Sequence, residues 1–143
     1  RARGARFDIG HGMGAFGFKS AEQAIADGFP PDIISSDAHA FSVDGYAYDL
    51  LHTMSKLVNC GIELEQALRM TTDSPARAMR QDDIGHLSVG ALADITLLAE
   101  QETSFTFTDV IGEKREGSFL FDNRGCFVGG TFHEPAQRPF ELK

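Results

Sequence analysis

Two short apolar runs flank a helical segment near the start of the chain. Residues 5–10 alternate apolar and polar side chains, which predicts a short strand. Residues 32–36 form a second apolar run after a pair of prolines, a pattern typical of a buried parallel strand. Between them, Ser20 and Gln23 have the spacing of a capping box, and Gly28 ends the helix that they begin. The order strand, helix, strand predicts a βαβ unit with a parallel sheet.

Further along, apolar residues recur at helical spacing and predict an amphipathic helix that ends at Gly61. The members of this stripe are Leu50, Leu51, Met54, Leu57 and Val58. His52 and Lys56 lie four residues apart and outside the stripe, so we expect them to form a solvated pair. Two more helices are predicted, one over residues 63–71 and one that begins with Ser74 as its N-cap.

Beyond residue 84 the pattern changes to short runs punctuated by glycine. These runs cover residues 93–98, 104–110, 117–121 and 126–132. Short strands between regular turn signals predict an antiparallel sheet. Residues 122–125 have the composition of a hairpin turn. Pro135 and Pro139 predict a surface arm after the last strand.

Composition limits the classes of protein to which the chain can belong. Its 143 residues carry a formal net charge of -8, and 42% of them are hydrophobic. The acidic balance argues against a nucleic-acid partner, whose phosphates need a basic surface. No apolar run reaches the length needed to cross a bilayer, so we expect no membrane partner. No apolar segment follows the first six residues, which argues against a secretory signal and for a cytoplasmic protein.

The two cysteines, Cys60 and Cys126, are far apart in the sequence and lie outside any Cys-x-x-Cys motif. We expect both to be reduced thiols with a structural role. The chain starts at Arg1 and has no initiator methionine, so we expect it to begin within a longer protein.

Each of the two predicted parallel strands is followed by residues that can bind a metal or transfer a proton. His11 and Gly12 follow the first strand in a glycine-rich loop, and Asp37 ends the second strand, with His39 two residues later. In parallel α/β folds, functional groups lie where strands end and loops begin. Because a metal needs three or more ligands, these residues indicate an incomplete metal or acid-base site.

Each candidate also has a purely structural interpretation. Asp37 could cap backbone amides of the loop that follows it, as aspartate often does. His11 could be a structural histidine whose ring is satisfied by neighbouring groups. The glycine-rich loop is not expected to hold phosphate, because no Walker-type lysine pattern follows it.

Five motifs along the chain carry a family resemblance. They are Phe7-Asp8-Ile9-Gly10-His11-Gly12, Ile34-Ser35-Ser36-Asp37-Ala38-His39, Met54-Ser55-Lys56-Leu57, Thr71-Thr72-Asp73-Ser74-Pro75-Ala76 and Ile84-Gly85-His86-Leu87-Ser88-Val89-Gly90-Ala91-Leu92-Ala93-Asp94. In this order they resemble the C-terminal part of amidohydrolase-superfamily metallohydrolases, closest to the dihydroorotase-like amidohydrolases and deacetylases. The resemblance extends over residues 5–132.

The resemblance implies an α/β fold that is the C-terminal portion of a (β/α)8 TIM-type barrel, followed by part of a small β-sandwich. The two parallel strands would then be the last two strands of the barrel. Residues 1–83 would belong to the barrel, residues 84–134 to the sandwich segment and residues 135–143 to a tail. A whole barrel takes about 250 residues, so the chain would be incomplete by itself.

The resemblance also implies metal-dependent hydrolysis of an amide or cyclic amide. In the family, the aspartate that ends strand eight binds a divalent metal, usually zinc, and takes a proton from the attacking hydroxide. That role falls to Asp37, whereas His11, Gly12 and His39 would shape the substrate pocket. The family's His-x-His, bridging lysine and two later histidines do not occur in this sequence. The remaining ligands of its one or two metal ions would therefore lie outside this chain.

In this interpretation the complete protein acts on a small-molecule amide substrate and forms a homo-oligomer, whereas the chain alone is inactive. Two alternatives stand beside it. The chain could be a non-catalytic, barrel-derived module that binds a partner or stabilises an oligomer. It could also serve the deamination of a nucleobase, which uses the same barrel but not these motifs.

Overall fold

The computed structural model describes residues 3–43 and 47–136. Gly45 in the predicted loop and Pro139 in the predicted arm lie outside these ranges. The strands are β1 (Asp8–Gly10), β2 (Ile33–Ser35), β3 (Ile95–Thr108), β4 (Lys114–Val128) and β5 (Thr131–His133). The helices are α1 (Phe18–Ala26), α2 (Leu50–Asn59), α3 (Leu64–Thr71) and α4 (Asp73–Met79).

The predicted strand-helix-strand unit is confirmed. β1 and β2 form a parallel pair in which Asp8 lies opposite Ile33 and Gly10 lies opposite Ser35. Both strands therefore end at the same edge of the sheet. The loops that follow them, which carry the candidate site residues, meet at this edge.

The helix between these strands, α1, ends as predicted but begins earlier. At its end, Gly28 has a φ of 72° and its N–H donates to Ile25 O at 3.0 Å, as in a Schellman motif. The predicted capping box is wrong, because α1 starts at Phe18 and Ser20 lies inside its first turn. The N-cap is Gly17, which has no side chain to accept a hydrogen bond. A more distant part of the chain supplies the acceptor, as described below.

The predicted amphipathic helix is confirmed as α2. Asp49 begins it, since Asp49 Oδ1 accepts a hydrogen bond from the His52 N–H at 2.6 Å. Cys60 is its C-cap, and Gly61 follows with a φ of 105°, which glycine adopts readily. The bounds of α2 therefore agree with the sequence pattern, although the environment of its polar residues does not.

The next two helices differ from the prediction only at their starts. α3 begins at Leu64, and α4 begins at Asp73, so the predicted N-cap at Ser74 is wrong. The Asp73 carboxylate lies in the first turn of α4, where its negative charge interacts favourably with the helix dipole. It also forms an ion pair with Arg77 at 2.7 Å. Among the helices of the described ranges, none combines the length and apolarity needed to cross a bilayer.

An antiparallel sheet follows, as predicted, but two long strands replace the series of short ones. Its strand order is β3-β4-β5. The predicted hairpin turn at residues 122–125 is wrong, because these residues lie inside β4. Arg124 is an extra residue in a β-bulge there, and Asn123 Oδ1 accepts a hydrogen bond from the Gly125 N–H at 2.9 Å. Turn-forming residues thus mark a bend within one strand.

One apolar core joins the parallel pair, the helices and the long hairpin. Its buried members are Phe16, Phe18, Ala21, Ile34, Met54, Leu57, Ile62, Ala67, Met70, Phe107, Leu120 and Phe121. α2 contacts both β2 and β4 and so connects the two sheets. The domain boundary near residue 84 stays a prediction, and the segments on either side of it bury apolar surface against each other.

Candidate functional site

The candidate site lies where β1 and β2 end side by side. Gly12, in the loop after β1, donates its N–H to Ser36 O, in the loop after β2, at 3.0 Å. This hydrogen bond continues the pairing of the two strands beyond their last paired residues. It brings the glycine-rich loop directly against the segment that carries Asp37.

Asp37 has an exposed side chain and a strained backbone. Its φ is 47°, in the left-handed region that costs an L-residue roughly 1–2 kcal/mol. Within the described residues its carboxylate makes no hydrogen bond, and the next amide, of Ala38, donates to Ser36 Oγ at 3.2 Å. The capping role of Asp37, one of the two interpretations of the sequence, is therefore taken by Ser36. A strained residue with an unpaired carboxylate at a strand end is a functional candidate.

Gly12 and Gly10 leave the space that Asp37 occupies. Gly12 has a φ of 46°, and a Cβ built on it would overlap Asp37 Oδ2. A Cβ on Gly10 would lie 2.8 Å from the Asp37 Cβ. Glycine is thus needed at both positions for the Asp37 side chain to lie against the backbone of the first loop.

His39 lies on the exposed side of the same loop. Its own N–H donates to Ser42 Oγ at 3.0 Å, and its Nδ1 accepts from the Phe41 N–H at 3.3 Å. The first hydrogen bond holds the His39 backbone, and the second orients its ring. A substrate contact of His39 stays a prediction, and its exposure is compatible with one.

His11 is fully buried: its side chain lies on the interior side of the glycine-rich loop, whereas Asp37 is exposed. Its Nε2 lies 2.7 Å from Lys56 Nζ and its Nδ1 lies 3.0 Å from Gly12 O, while its ring stacks on Phe16 with centroids 4.9 Å apart. Burial, and then the Lys56 charge, lowers the pKa of His11 to about 4. The ring is therefore neutral at pH 7, and both of its nitrogens bind groups of this chain.

The predicted solvated pair on α2 is wrong. Lys56 is 0% exposed and His52 is 1% exposed. The Lys56 ammonium donates to Thr108 O, at the end of β3, at 2.6 Å. His52 packs among aromatic rings, with centroid distances of 5.6 Å to Phe105 and 5.1 Å to Phe107. Burial lowers the pKa of Lys56 to about 7, an effect that the nearby Asp109 opposes.

A sequence signal for this burial exists. Lys56 is the single charged residue in α2, so the helix has no charged face to present to water. Its small polar residues bind the backbone of β4 instead. Ser55 Oγ accepts from the Phe121 N–H at 2.9 Å, and Asn59 Oδ1 accepts from the Ser118 N–H at 3.1 Å.

The glycine-rich loop has one spacing that sequence reasoning missed. Gly12, Gly14 and Gly17 form a Gly-x-Gly-x-x-Gly series between a strand and a helix, as in loops that hold dinucleotide phosphates on the helix N-terminus. Here the buried carboxylate of Asp109 fills that position, because its Oδ2 accepts from the Phe18 N–H at 3.2 Å. A fixed negative charge at the helix start disfavours phosphate binding.

Both cysteines are free thiols, as predicted. Burial raises the pKa of Cys60 to about 12, which keeps it protonated and a poor nucleophile.

The described ranges supply only part of a metal coordination shell. Residues 3–43 and 47–136 contain no group of three or more His, Cys, Asp or Glu side chains that could hold an ion. The Asp37 carboxylate fits as a single ligand, since it is exposed, lacks a hydrogen bond from the described residues and has a cleared space beside Gly12. His11 does not fit as a ligand, because its ring nitrogens are engaged by Lys56 and Gly12.

The buried lysine gives a prediction for the pH dependence of stability. Between pH 7 and 10.5 the unfolded chain binds a proton on Lys56 that the folded chain has lost, so the free energy of unfolding rises with pH in this window. Relative to Lys56→Met, the wild type should gain stability with a slope of at most about 1.4 kcal/mol per pH unit. Urea unfolding from pH 6 to pH 9 measures this difference. The exposed Lys114→Met is the control, and equal slopes for both variants would contradict the prediction.

The family of the chain follows from its similarity to known proteins. A sequence profile of the amidohydrolase family matches residues 15–126. The chain belongs to this family. The predicted resemblance is therefore confirmed. The matched region begins within the loop after β1 and includes the loop after β2, which carries Asp37.

Two curated deacetylases are similar to this amidohydrolase chain in sequence. A deacetylase of Agrobacterium fabrum is 38% identical over 126 residues, which cover 88% of this chain and 31% of that protein. A deacetylase of Brucella anthropi is 36% identical over the same length, with the same coverage of both chains. The chain thus spans about a third of the length of the curated relatives that it matches.

Two solved structures share the fold of this amidohydrolase chain over nearly all of its length. A dihydroorotase matches with a TM-score of 0.88 and 37% identity, covering 96% of this chain and 37% of the dihydroorotase. An adenine deaminase matches with a TM-score of 0.90 and 31% identity, covering 94% of this chain and 37% of the deaminase. The arrangement of parallel pair, helices and small sheet therefore recurs inside larger enzymes.

Proposed function

We propose that this chain is the C-terminal part of a metal-dependent amidohydrolase that cleaves an amide or cyclic amide. The proposal depends mainly on the position of the Asp37 carboxylate. Its carboxylate stands exposed at the end of a parallel strand, on a strained backbone, beside a glycine that leaves room for it. Family membership and the deacetylase relatives support hydrolysis as the reaction.

In this proposal β1 and β2 are the last two strands of a (β/α)8 barrel, and β3 to β5 are part of a small β-sandwich. The coverage of 31% of the deacetylases supports this division, because the rest of the barrel would come from the part of the protein that this chain does not contain. The parallel pair also supports it, because all-parallel sheets occur almost only in α/β folds, in which helices cover both faces of the sheet.

Asp37 would be one ligand of a divalent metal, with zinc as the candidate and one or two ions bound. The remaining ligands would come from outside this chain. When bound, the metal would lower the pKa of water to about 7 and polarise the scissile carbonyl. A carboxylate near a cation stays ionised, which suits Asp37 both as a ligand and as a proton acceptor.

The residues of this chain would then transfer protons and form part of the substrate pocket. Asp37 would accept a proton from the attacking water as the new carbon–oxygen bond forms. It would pass that proton to the departing nitrogen as the carbon–nitrogen bond breaks. Gly12 would admit the substrate close to the backbone, and the exposed His39 would contact it. His11 would shape the pocket from behind, through Gly12.

The names of the similar proteins define the substrates to test first. N-acetyl compounds represent the deacetylases, dihydroorotate represents the dihydroorotase, and adenine represents the deaminase. The cyclic amide and the N-acetyl compounds share the bond type that we propose. If the complete protein converts adenine but none of the amides, nucleobase deamination is the function and the proposal is wrong.

Removing the metal is expected to abolish hydrolysis by the complete protein. The measurement is activity on the substrate panel before and after treatment with a chelator, followed by titration with zinc. Recovery of activity at one or two equivalents of metal is the expected result. Full activity in a metal-free sample would contradict the proposal, and absence of both metal and activity would favour a non-catalytic module.

A further inference from the structure

Behind the strand-end loop, buried polar groups form a hydrogen-bonded row. Lys56 Nζ lies 2.6 Å from Thr108 O and 2.7 Å from His11 Nε2, and His11 Nδ1 lies 3.0 Å from Gly12 O. Lys56 and His11 are both 0% exposed. The row connects the end of β3, through α2, to the residue whose backbone lies against Asp37.

The acceptors in this row determine where the protons are. Thr108 O and Gly12 O can only accept, so Lys56 donates to the first and His11 Nδ1–H donates to the second. A neutral ring with its proton on Nδ1 leaves the Nε2 lone pair to accept from Lys56. The other tautomer would direct a lone pair at Gly12 O and remove the acceptor that faces Lys56 Nζ.

We infer that Lys56 is a positioning residue, which holds His11 as the Nδ1–H tautomer and thereby holds Gly12 in the conformation that accommodates the Asp37 carboxylate. For its effect on turnover, this inference rests on the proposed function. The proton assignment of His11 does not depend on it. The role is distinct from the site itself, because Lys56 is buried behind the loop and is linked to Gly12 through His11.

The surroundings of the row favour a lysine in this role. Phe16 stacks on the His11 ring at 4.9 Å, and Lys56 Nζ lies 5.7 Å from the centroid of the same Phe16 ring. With both side chains buried, bulk water is not available to donate to Nε2 in place of Lys56. Below pH 7, where Lys56 is an ammonium, its hydrogen bond to a buried acceptor is also stronger than one between neutral groups.

The direct test is the ¹⁵N spectrum of the His11 ring in the complete protein, assigned by its loss in His11→Gln. The wild type should show a protonated Nδ1 and an unprotonated Nε2 from pH 5.5 to pH 8. In Lys56→Met the proton should redistribute toward Nε2, or the ring should titrate at a higher pH. Lys56→Arg, which keeps a donor, should restore the wild-type pattern, and the exposed Lys114→Met should leave it unchanged.

Turnover provides the second readout. Lys56→Met should lower kcat by roughly 10- to 100-fold, with a smaller change in KM, because a displaced loop misplaces the reacting groups. Lys56→Arg should recover part of this loss, whereas Lys114→Met should behave as the wild type. A general loss of stability would reduce the fraction of folded enzyme, but it would not change the His11 tautomer in the molecules that remain folded.

The outcomes separate the two proposals. An Nε2–H tautomer in the wild type, or an unchanged ring spectrum in Lys56→Met, would overturn the inference whatever the activity. A changed tautomer with unchanged kcat would overturn the link from Lys56 to the site. If the wild type lacks hydrolytic activity, the proposed function fails while the ring spectrum still decides the role of Lys56. If Lys56→Met does not fold, the wild-type spectrum and Lys56→Arg decide it.

Discussion

Replacing Asp37 with asparagine in the complete protein is expected to lower kcat/KM for the hydrolysed amide by about 1,000-fold or more. The change removes the negative charge and the proton acceptor while it keeps the shape of the side chain. Loss of a general acid-base group alone typically costs 10²- to 10⁴-fold. Weaker metal binding adds to that cost, because the amide is a poorer ligand than a carboxylate.

The fold is expected to tolerate this change. Asparagine is among the residues that best accept the left-handed conformation seen at Asp37, and the carboxylate lacks hydrogen bonds from the described residues. Urea unfolding should therefore give a free energy within about 0.5 kcal/mol of the wild type. Asp27→Asn, at the end of α1, is the matched control and should keep full activity. Equal activity and metal content in Asp37→Asn and the wild type would contradict the assigned role.

Gly12→Ala is expected to lower kcat by about 100-fold, the second-largest effect in this chain. The added Cβ would overlap Asp37 Oδ2, so the carboxylate has to move away from its present position. A shift of about 1 Å in a reacting group is enough for such a loss. The φ of 46° adds roughly 1–2 kcal/mol of strain for an L-residue.

A neighbouring glycine provides the control for this prediction. A Cβ on Gly14, in the same loop, would have no heavy atom within 4 Å. Gly14→Ala should therefore leave both kcat and the free energy of unfolding close to those of the wild type. Steady-state kinetics and urea unfolding of the two variants measure the contrast. Similar losses in both would mean that loop flexibility, rather than the space beside Asp37, matters.

The fold could be predicted from sequence wherever local pattern and local structure agree. Alternating residues near Phe7 gave β1, the apolar run before Asp37 gave β2, and the stripe from Leu50 gave α2. Errors arose where a distant partner decides the local structure. The start of α1 depends on Asp109, which lies 91 residues from Phe18 and fills a capping role that Ser20 was predicted to play.

The same limit applied to the candidate site. The positions of Asp37, Gly12 and His39 could be predicted from strand ends and motifs, because they depend on β1, β2 and the loops that follow these strands. The contact between Lys56 and His11 joins residues 45 positions apart, and no periodicity reports such a contact. The interior position of Lys56 follows from the packing of α2 against β4, which the helical pattern alone does not specify.

Anomalous diffraction at the zinc absorption edge, from crystals of the complete protein, tests the central claim most directly. The account predicts a peak within bonding distance of an Asp37 carboxylate oxygen, on the side opened by Gly12, with the other ligands from the rest of the protein. The same measurement on Asp37→Asn should show a weakened or absent peak. Stoichiometric zinc bound elsewhere, with the Asp37 carboxylate free of any ion, would contradict the account.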